Sequence, residues 1–167
     1  MNKDRYSIIF NSKTGNTRKL ADAIHEALPQ ENCDLFGAVE GDVPASETLY
    51  IGFWTDKGSA DKATAELLAK LKNRKIFLFG TAGFGGSEEY FTNILDNVKK
   101  LINESNTVVG EYTCKGRMTG SVRARYVKMK EQPDPMPHLD MLIENFDKAL
   151  SHPDAADLDR LQKMVTA

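Results

Sequence analysis

The chain has 167 residues, a formal net charge of −2 and two cysteines, Cys33 and Cys114. Its length fits one domain with a sizeable core, and 41% hydrophobic with 28% charged residues excludes the disordered and fibrous classes. The balanced charge does not favour nucleic acid or an anionic membrane as a partner. No apolar run approaches the roughly 20 residues of a membrane-spanning helix. Two cysteines far apart predict no disulfide framework and a reducing, cytoplasmic location.

Apolar runs and helical stripes alternate along the chain. Runs rich in β-branched and aromatic residues predict five strands, at residues 6–10, 33–36, 48–54, 76–79 and 107–114. Apolar residues at helical spacing predict five helices, whose stripes begin at Leu20, Ala60, Phe91 and Leu139, with a short last helix over 157–165. A helix after the second strand would have to lie within residues 37–46. Residues 122–130 follow no clear pattern and are interpreted as a basic loop.

This alternation predicts an α/β fold, a doubly wound parallel sheet of five strands with helices on both faces. We expect one domain over residues 1–150 and a helical tail over residues 151–167. In such sheets ligands bind at the carboxyl ends of the strands, so the loops that follow the strands are the places to look for chemistry.

The loop after the first predicted strand has the composition of an anion-binding turn. Ser12-Lys13-Thr14-Gly15-Asn16-Thr17 brings three hydroxyls, a glycine and an amide to the start of a helix. Unpaired backbone N–H groups and the helix dipole favour a phosphate at such a place. The lysine of a Walker A loop is missing. An ordinary N-cap explains the same residues, so both interpretations stay open.

Two further loops follow buried strands at the same predicted edge. Trp54, the only tryptophan, ends the third strand; its ring can stack on a planar ligand or fill the core. The loop from Gly80 to Ser87 contains four glycines, which either let backbone amides approach a flat ligand or form a flexible connection. Gly86 stands at the Walker lysine position, so a nucleoside triphosphate is not expected.

Together these loops resemble those of the flavodoxin family. Ser12-x-Thr14-Gly15-Asn16-Thr17 matches the loop in which flavodoxins hold the phosphate of FMN. Trp54 matches the tryptophan that many of them place against the flavin, and Gly83 to Ser87 resembles their third flavin loop. The resemblance covers residues 5 to about 115 and implies the flavodoxin-like fold, with strand order 2-1-3-4-5.

The resemblance also implies FMN as the cofactor and a redox partner protein, either a reductase or an acceptor enzyme. Many flavodoxins stack a tyrosine on the outer flavin face, where this chain has Glu88; Phe84 or Tyr90 can replace it, or the face is open. The net charge does not predict the acidic docking surface of typical flavodoxins. The cofactor-binding residues carried over are Ser12, Lys13, Thr14, Gly15, Asn16, Thr17, Trp54, Thr55, Asp56, Gly58, Thr81, Ala82, Gly83, Phe84, Gly85 and Gly86.

A basic segment follows the last strand, with Arg117, Arg123, Arg125, Lys128 and Lys130. It can bind an acidic partner or substrate carboxylates, or it is a solvated face. This segment and the later His-Pro-Asp sequence at residues 152–154 resemble, more loosely, flavodoxin-like proteins that accompany bilirubin reductase in anaerobic bacteria.

These observations predict an FMN-binding electron-transfer protein that passes electrons to or from a partner oxidoreductase. The alternatives are an FMN-dependent NAD(P)H oxidoreductase acting on a small acceptor, or a binding module that kept the fold and lost flavin. Three scattered histidines have no metal-ligand spacing, and no nucleophile with its base can be argued from the spacing. We therefore predict no metal and no catalytic side chain, so that the chemistry comes from the cofactor. Cys114 is expected to be a buried, inert thiol.

Overall fold

The sheet has a long strand at each predicted position and one short addition. The computed structural model describes residues 2–11, 15–38, 42–83, 88–118, 120–135 and 137–167. The strands are β1 (Asn2–Phe10), β2 (Cys33–Gly37), β3 (Ser46–Asp56), β4 (Ser59–Ala60), β5 (Lys75–Ala82) and β6 (Thr107–Lys115). The helices are α1 (Asn16–Ala27), α2 (Lys62–Lys70), α3 (Glu88–Lys99), α4 (Gly120–Lys130), α5 (Leu139–Ala149) and α6 (Ala155–Thr166).

The five long strands form a parallel sheet in the order β2-β1-β3-β5-β6, and β4 pairs antiparallel with the end of β3. Counting the long strands alone, this is the predicted order 2-1-3-4-5, and the doubly wound α/β fold is confirmed. The strand order reverses between β1 and β3. A crevice at the carboxyl ends of these strands is where such sheets bind ligands.

The core has two layers, one on each face of the sheet. Successive side chains of a strand point to opposite faces. In β5, Ile76 and Leu78 therefore pack with apolar residues of α2 and α3. Phe77 and Phe79 pack on the other face, with α1 and with Leu161 of α6. Helices thus cover both faces, and the strands read as continuous apolar runs for that reason.

The last helix joins the same core as the domain. Leu161 of α6 is fully buried, and Gln162 Nε2 donates to the carbonyl oxygen of Ala23 in α1 at 3.0 Å. The predicted division of the chain at residue 150 stays a prediction. Within the part of the chain that the structure describes, no helix combines the length and apolar character needed to cross a bilayer.

Two elements differ from the sequence-based expectation. Residues 120–130, interpreted as a loop, form helix α4. Its apolar residues Val122, Tyr126 and Met129 do follow helical spacing, but they alternate with cations, and the amphipathic signal is lost. Arg, Ala, Lys and Met are nevertheless good helix formers.

The second difference lies after β3, where the predicted helical stripe begins at Ala60. Ser59 and Ala60 instead form β4, and α2 begins at Lys62. The chain reverses through Lys57 and Gly58, which both have positive φ, at 51° and 81°. Two consecutive residues of this kind make the type I′ turn that suits a two-residue hairpin. No helix occurs in the described part of residues 37–46.

Candidate functional site

A cavity of about 490 Å³ lies at the carboxyl ends of the strands, within the size range of small-molecule sites. Its walls come from the start of α1, the β3–β4 hairpin, the end of β5, the start of α3, and the chain from the end of β6 into α4. The lining residues are Asn16, Trp54, Thr55, Asp56, Lys57, Gly58, Thr81, Gly83, Tyr90, Gly116, Arg117, Met118, Val122 and Arg125. A second cavity, of about 560 Å³, lies beside α2 at the opposite edge of the sheet; it has no aromatic wall and is the weaker candidate.

The structure brings seven of the predicted site residues together on this lining. Three others lie beside it: Gly15 precedes α1, while Thr17 and Ala82 are buried behind the wall. Ser12, Lys13, Thr14, Phe84, Gly85 and Gly86 lie outside the described residues, and their part in the site stays a prediction. The seven that line the cavity are Asn16, Trp54, Thr55, Asp56, Gly58, Thr81 and Gly83.

Helix α1 begins at the cavity with its N-terminus open to an anion. Gly15, its N-cap, has a φ of 88°, and no described side chain caps the helix. The first turn carries no acidic residue. By contrast, Asp61 caps α2 and Asp154 caps α6. The N–H groups of the first turn of α1 lie at the positive end of the helix dipole and have no side-chain cap among the described residues.

The polar side chains at this helix start hold the neighbouring segments in place. Asn16 Nδ2 donates to the carbonyl oxygen of Arg117 at 2.7 Å. Thr17 Oγ1 donates to the carbonyl oxygen of Phe53 at 3.3 Å. A Cβ on Gly116 would lie 2.7 Å from Asn16 Nδ2, so glycine there permits the close approach. The start of α1 is thus tied to β3 and to the chain after β6.

Trp54 is fixed from behind by a buried carboxylate. Asp61 Oδ1 accepts from the Trp54 backbone N–H at 3.2 Å, and the Asp61 N–H donates to the Trp54 carbonyl at 3.1 Å. The same carboxylate accepts from the backbone and hydroxyl of Thr64. Trp54 itself is half-buried on the cavity wall. The backbone of Trp54 is therefore held in a fixed position on the cavity wall.

The β3–β4 hairpin is anchored at both its base and its tip. Thr55 Oγ1 donates to the carbonyl oxygen of Thr81 at 2.8 Å, and Thr55 pairs with Ala60 across the hairpin. At the tip, Asn97 Nδ2 of α3 donates to the Gly58 carbonyl at 2.9 Å. This wall of the cavity is consequently preformed.

Sequence reasoning missed the wall contributed by the chain after β6. Gly116, Arg117 and Met118 line the cavity, and Met118 lies against Gly83, where a Cβ would be 2.3 Å from Met118 Cγ. The sequence does contain a signal for this wall, because every loop that follows a parallel strand lies at the same edge of the sheet. The segment after the fifth long strand was considered only for its charge.

The aromatic residue opposite this wall is Tyr90. It is half-buried and lines the cavity, whereas Glu88 is exposed and does not. Burial raises the pKa of the Tyr90 phenol above its ordinary value. Tyr90 and Trp54 therefore give the cavity two aromatic side chains.

The charge on the cavity lining is mainly positive. Lys57, Arg117 and Arg125 face a single acidic side chain, Asp56. All four are exposed. The Arg117 backbone N–H donates to the carbonyl oxygen of His152 at 3.0 Å, so the chain before α6 helps to position this segment. An anionic ligand or an acidic surface is favoured here.

Three potential metal ligands meet near this anchor: His152, Asp154 and Asp157 have ligand atoms within 4.8 Å of one another. The buried Asp157 carboxylate is already engaged, since Oδ2 accepts from the Asp154 N–H at 2.9 Å and lies 2.6 Å from His152 Nδ1. Arg160 donates to Oδ1 at 2.6 Å. We assign the cluster to the capping of α6, because a metal would have to displace these partners.

Comparisons with known proteins agree with this geometry. The flavodoxin domain family matches residues 7–166. The flavodoxin-like domain-containing protein BilS of Clostridium symbiosum is 36% identical over 96% of this chain and 94% of its own. The protein of the same name from Clostridioides difficile is 28% identical over 90% and 88%.

Solved structures support the fold independently. Oxidised flavodoxin 2 from Bacillus cereus superposes with a TM-score of 0.58 at 14% identity, covering 97% of this chain and 95% of its own. A flavoprotein in complex with FMN from Lactobacillus acidophilus gives 0.53 at 15% identity, over 66% of this chain and 93% of its own.

Proposed function

The chain belongs to the flavodoxin domain family, and on that premise we propose that it is an FMN-binding protein that passes electrons to or from a partner oxidoreductase. FMN is its cofactor. The observation that carries the proposal is the cavity at the carboxyl edge of the sheet, which combines two aromatic side chains with the start of helix α1. The predicted cytoplasmic location stays a prediction.

The residues present fit a phosphorylated flavin. The open N–H groups of α1 suit a phosphate dianion. In this proposal Trp54, whose backbone N–H is held by Asp61, covers one face of the planar ring. The hairpin and Gly83 offer backbone to the edge of a ring, because Gly83 has no side chain. The cofactor supplies the redox chemistry when bound. The protein supplies the groups that position the cofactor, an aromatic cavity wall and positive charge.

Titration with FMN and with riboflavin tests the cofactor and its phosphate separately. Riboflavin lacks the phosphate, so we expect it to bind about 100-fold more weakly, as several charge-assisted hydrogen bonds would give. The measurement is quenching of flavin fluorescence, with retention of the yellow colour through gel filtration. Equal affinities would refute the phosphate site at α1, and no binding of either flavin would refute the proposal.

Substitution of Trp54 tests the wall that faces the ring. We expect Trp54→Leu to weaken FMN and riboflavin equally, by about tenfold, because stacking acts on the ring that both share. The control is Phe36→Leu, since Phe36 is an aromatic of β2, two strands away from β3, and does not line the cavity. A loss confined to FMN would place Trp54 at the phosphate instead.

The relatives named BilS suggest a more specific setting. They belong to the kind of flavodoxin-like protein that accompanies bilirubin reductase, and we extend that setting to this chain as part of the proposal. Addition of NADH or NADPH to the FMN-loaded protein separates carrier from enzyme. A carrier leaves the nicotinamide unoxidised until a partner reductase is added, whereas steady oxidation by the protein alone would favour the oxidoreductase alternative.

A further inference from the structure

Helix α4 divides its cations between two faces. The helix carries Arg123, Arg125, Lys128 and Lys130, and no acidic residue. Arg123 makes a two-pronged ion pair with Asp147 of α5, at 2.8 and 3.2 Å. Lys130 pairs with Asp140, also of α5. Because residues 123, 126 and 130 recur at helical spacing, the face that includes the buried Tyr126 is the one that packs on α5.

The other face of α4 borders the cavity and keeps its charge. Val122 and Arg125 line the cavity, and Lys128 follows three residues later on the same face. Arg125 and Lys128 are exposed and form no ion pair with any residue that the structure describes. Lys57, in the β3–β4 hairpin, and Arg117, in the chain that leads into α4, are also exposed and form no ion pair with the described residues.

The chain thus concentrates positive charge at the mouth of the cavity, although its net charge is −2. We call Lys57, Arg117, Arg125 and Lys128 the basic rim. FMN itself carries one dianionic phosphate, for which α1 already provides donors. Lys128 does not line the cavity, so the rim extends beyond the ligand, to where a second molecule would approach.

We propose that the basic rim, with α4 as its centre, is the docking surface for an acidic redox protein. The inference rests on the proposed electron-transfer function. Charge complementarity predicts that the partner is negatively charged. The position argues for its role, because a protein that docks across the rim covers the mouth of the cavity, where electrons must enter or leave. A carboxylate-bearing small substrate is the outcome that the test must separate from it.

A charge-reversal variant outside the cavity lining tests this surface. Ala124 and Lys128 are exposed, lie one turn apart on α4 and do not line the cavity. Ala124→Glu with Lys128→Glu changes the charge by about three units. The matched control is Ala69→Glu with Lys70→Glu, at two exposed positions of α2 beside the opposite edge of the sheet. Both variants carry the same substitutions and the same change in net charge.

The probe is a reduced plant-type ferredoxin, which is acidic and donates one electron. Two equivalents take bound FMN to its fully reduced form, with protons from the solvent, and stopped-flow loss of flavin absorbance gives the rate. At about 10 mM ionic strength we expect the α4 variant to be about tenfold slower and the α2 control to change less than twofold. At about 150 mM the difference should largely vanish, because the Debye length shortens.

With a basic acceptor protein, the α4 substitutions should have the opposite effect on the rate of electron transfer. Oxidised mitochondrial cytochrome c is ringed by lysines, so its reduction by the fully reduced protein should become faster in the α4 variant. Reduction of both variants by a deazaflavin radical, a small uncharged donor, should be equal, since steering acts on charged partners. A slower reaction with the radical as well would attribute the effect to the cofactor site, and the docking proposal would fail.

The two proposals fail separately in this design. A protein that retains no flavin fails the proposed function before any partner is added. A protein that retains FMN, yet reacts with ferredoxin at rates independent of residues 124 and 128, keeps that function and loses the docking surface. Salt-sensitive binding of a small dicarboxylate such as succinate, with no charge effect on the ferredoxin rate, would assign the rim to a substrate instead.

Discussion

Phe53 and Phe79 each occupy the space above a glycine of the neighbouring strand. The register pairs Phe53 with Gly80 and Gly52 with Phe79. A Cβ on Gly80 would lie 2.4 Å from the Phe53 ring, and one on Gly52 would lie 2.5 Å from the Phe79 ring. Both phenylalanines are fully buried. Glycine is therefore required in these strands for close packing of rings, not for an unusual backbone angle.

This packing predicts that Gly80→Ala destabilises the protein by about 1–3 kcal/mol, the usual cost of overpacking a filled core. Urea unfolding followed by circular dichroism measures the change. Gly120→Ala is the matched control, because nothing lies within 4 Å of its added Cβ. It should leave stability unchanged or raise it slightly, since alanine is the better helix former. Equal effects at both positions would contradict the argument.

At the scale of elements, one buried carboxylate organises the start of the C-terminal helix. Asp157 is 2% exposed and closes a capping box with Asp154 at the start of α6. Tyr112 of β6 donates to the Asp157 carbonyl at 2.9 Å. His152, which precedes the helix, holds the Arg117 segment of the cavity wall. The cap of α6 therefore also supports the site.

Asp157→Ala should cost about 2–3 kcal/mol of stability, since it removes charge-assisted hydrogen bonds together with half of a capping box. FMN affinity should fall as well, because the Arg117 segment loses its support. Asp159→Ala is the control: Asp159 is exposed on the same helix and forms only a surface pair with Lys163, which contributes little. An unchanged midpoint for Asp157→Ala in thermal unfolding would refute this account.

Sequence reasoning succeeded where patterns are local and failed where charge hides them. The continuous apolar run at residues 76–79 predicted strand β5. Helix α4 was missed because cations interrupt its apolar spacing, and two of them, Arg123 and Lys130, pair with Asp147 and Asp140 of α5, which only the tertiary structure brings near. The hairpin at Lys57 and Gly58 was missed because a lysine with positive φ has no clear sequence signal.

The sequence pointed to only part of the cavity lining for the same reason. Asn16, Trp54 and Thr81 follow strands and carry polar or aromatic groups that sequence can single out. Gly116 and Met118 were missed because they serve by shape, filling or leaving space against Asn16 and Gly83. Such complementarity depends on distances between segments far apart in the chain, and no local pattern records them.

At the scale of the whole molecule, the phenols of Tyr6 and Tyr112 limit the stability of the fold at alkaline pH. Burial, together with the nearby Cys33, raises the pKa of Tyr6 to about 12. Burial also raises the pKa of Tyr112 to about 12. An unfolded phenol titrates near 10. The folded state therefore holds these protons more tightly, so the stabilisation is fully present below pH 10 and is lost as pH rises from 10 through 12.

We expect the free energy of unfolding to fall steeply between pH 10 and 12 and Tyr6→Phe to reduce that fall. The Tyr6 hydroxyl is buried near Cys33 and has no hydrogen bond of ordinary geometry among the described residues, so the substitution should be neutral or stabilising at pH 7. Urea titrations at pH 7, 9 and 11 measure both effects. Parallel losses in the two proteins would show that Tyr6 does not contribute to the alkaline limit.

Burial also controls the reactivity of the cysteine thiols. Burial raises the pKa of Cys114 far above its ordinary value, and Cys114 is 5% exposed. The expectation of a buried thiol is confirmed. At pH 8 we expect dithionitrobenzoate to leave Cys114 unmodified in the native protein and to react with both cysteines in urea. Cys114→Ser is the control that identifies the slow thiol.

The residues that form the cavity wall are far apart in the chain and are therefore synthesised at different times. Asn16 Nδ2 bonds the carbonyl of a residue 101 positions later, and that segment is held in turn by His152. A ribosome makes the chain from its N-terminus at about 5–20 residues per second, so α1 exists for several seconds before the wall that faces it. The wall is complete only when nearly the whole chain has emerged. We therefore expect FMN to bind only after residue 152 has been synthesised and this wall has formed.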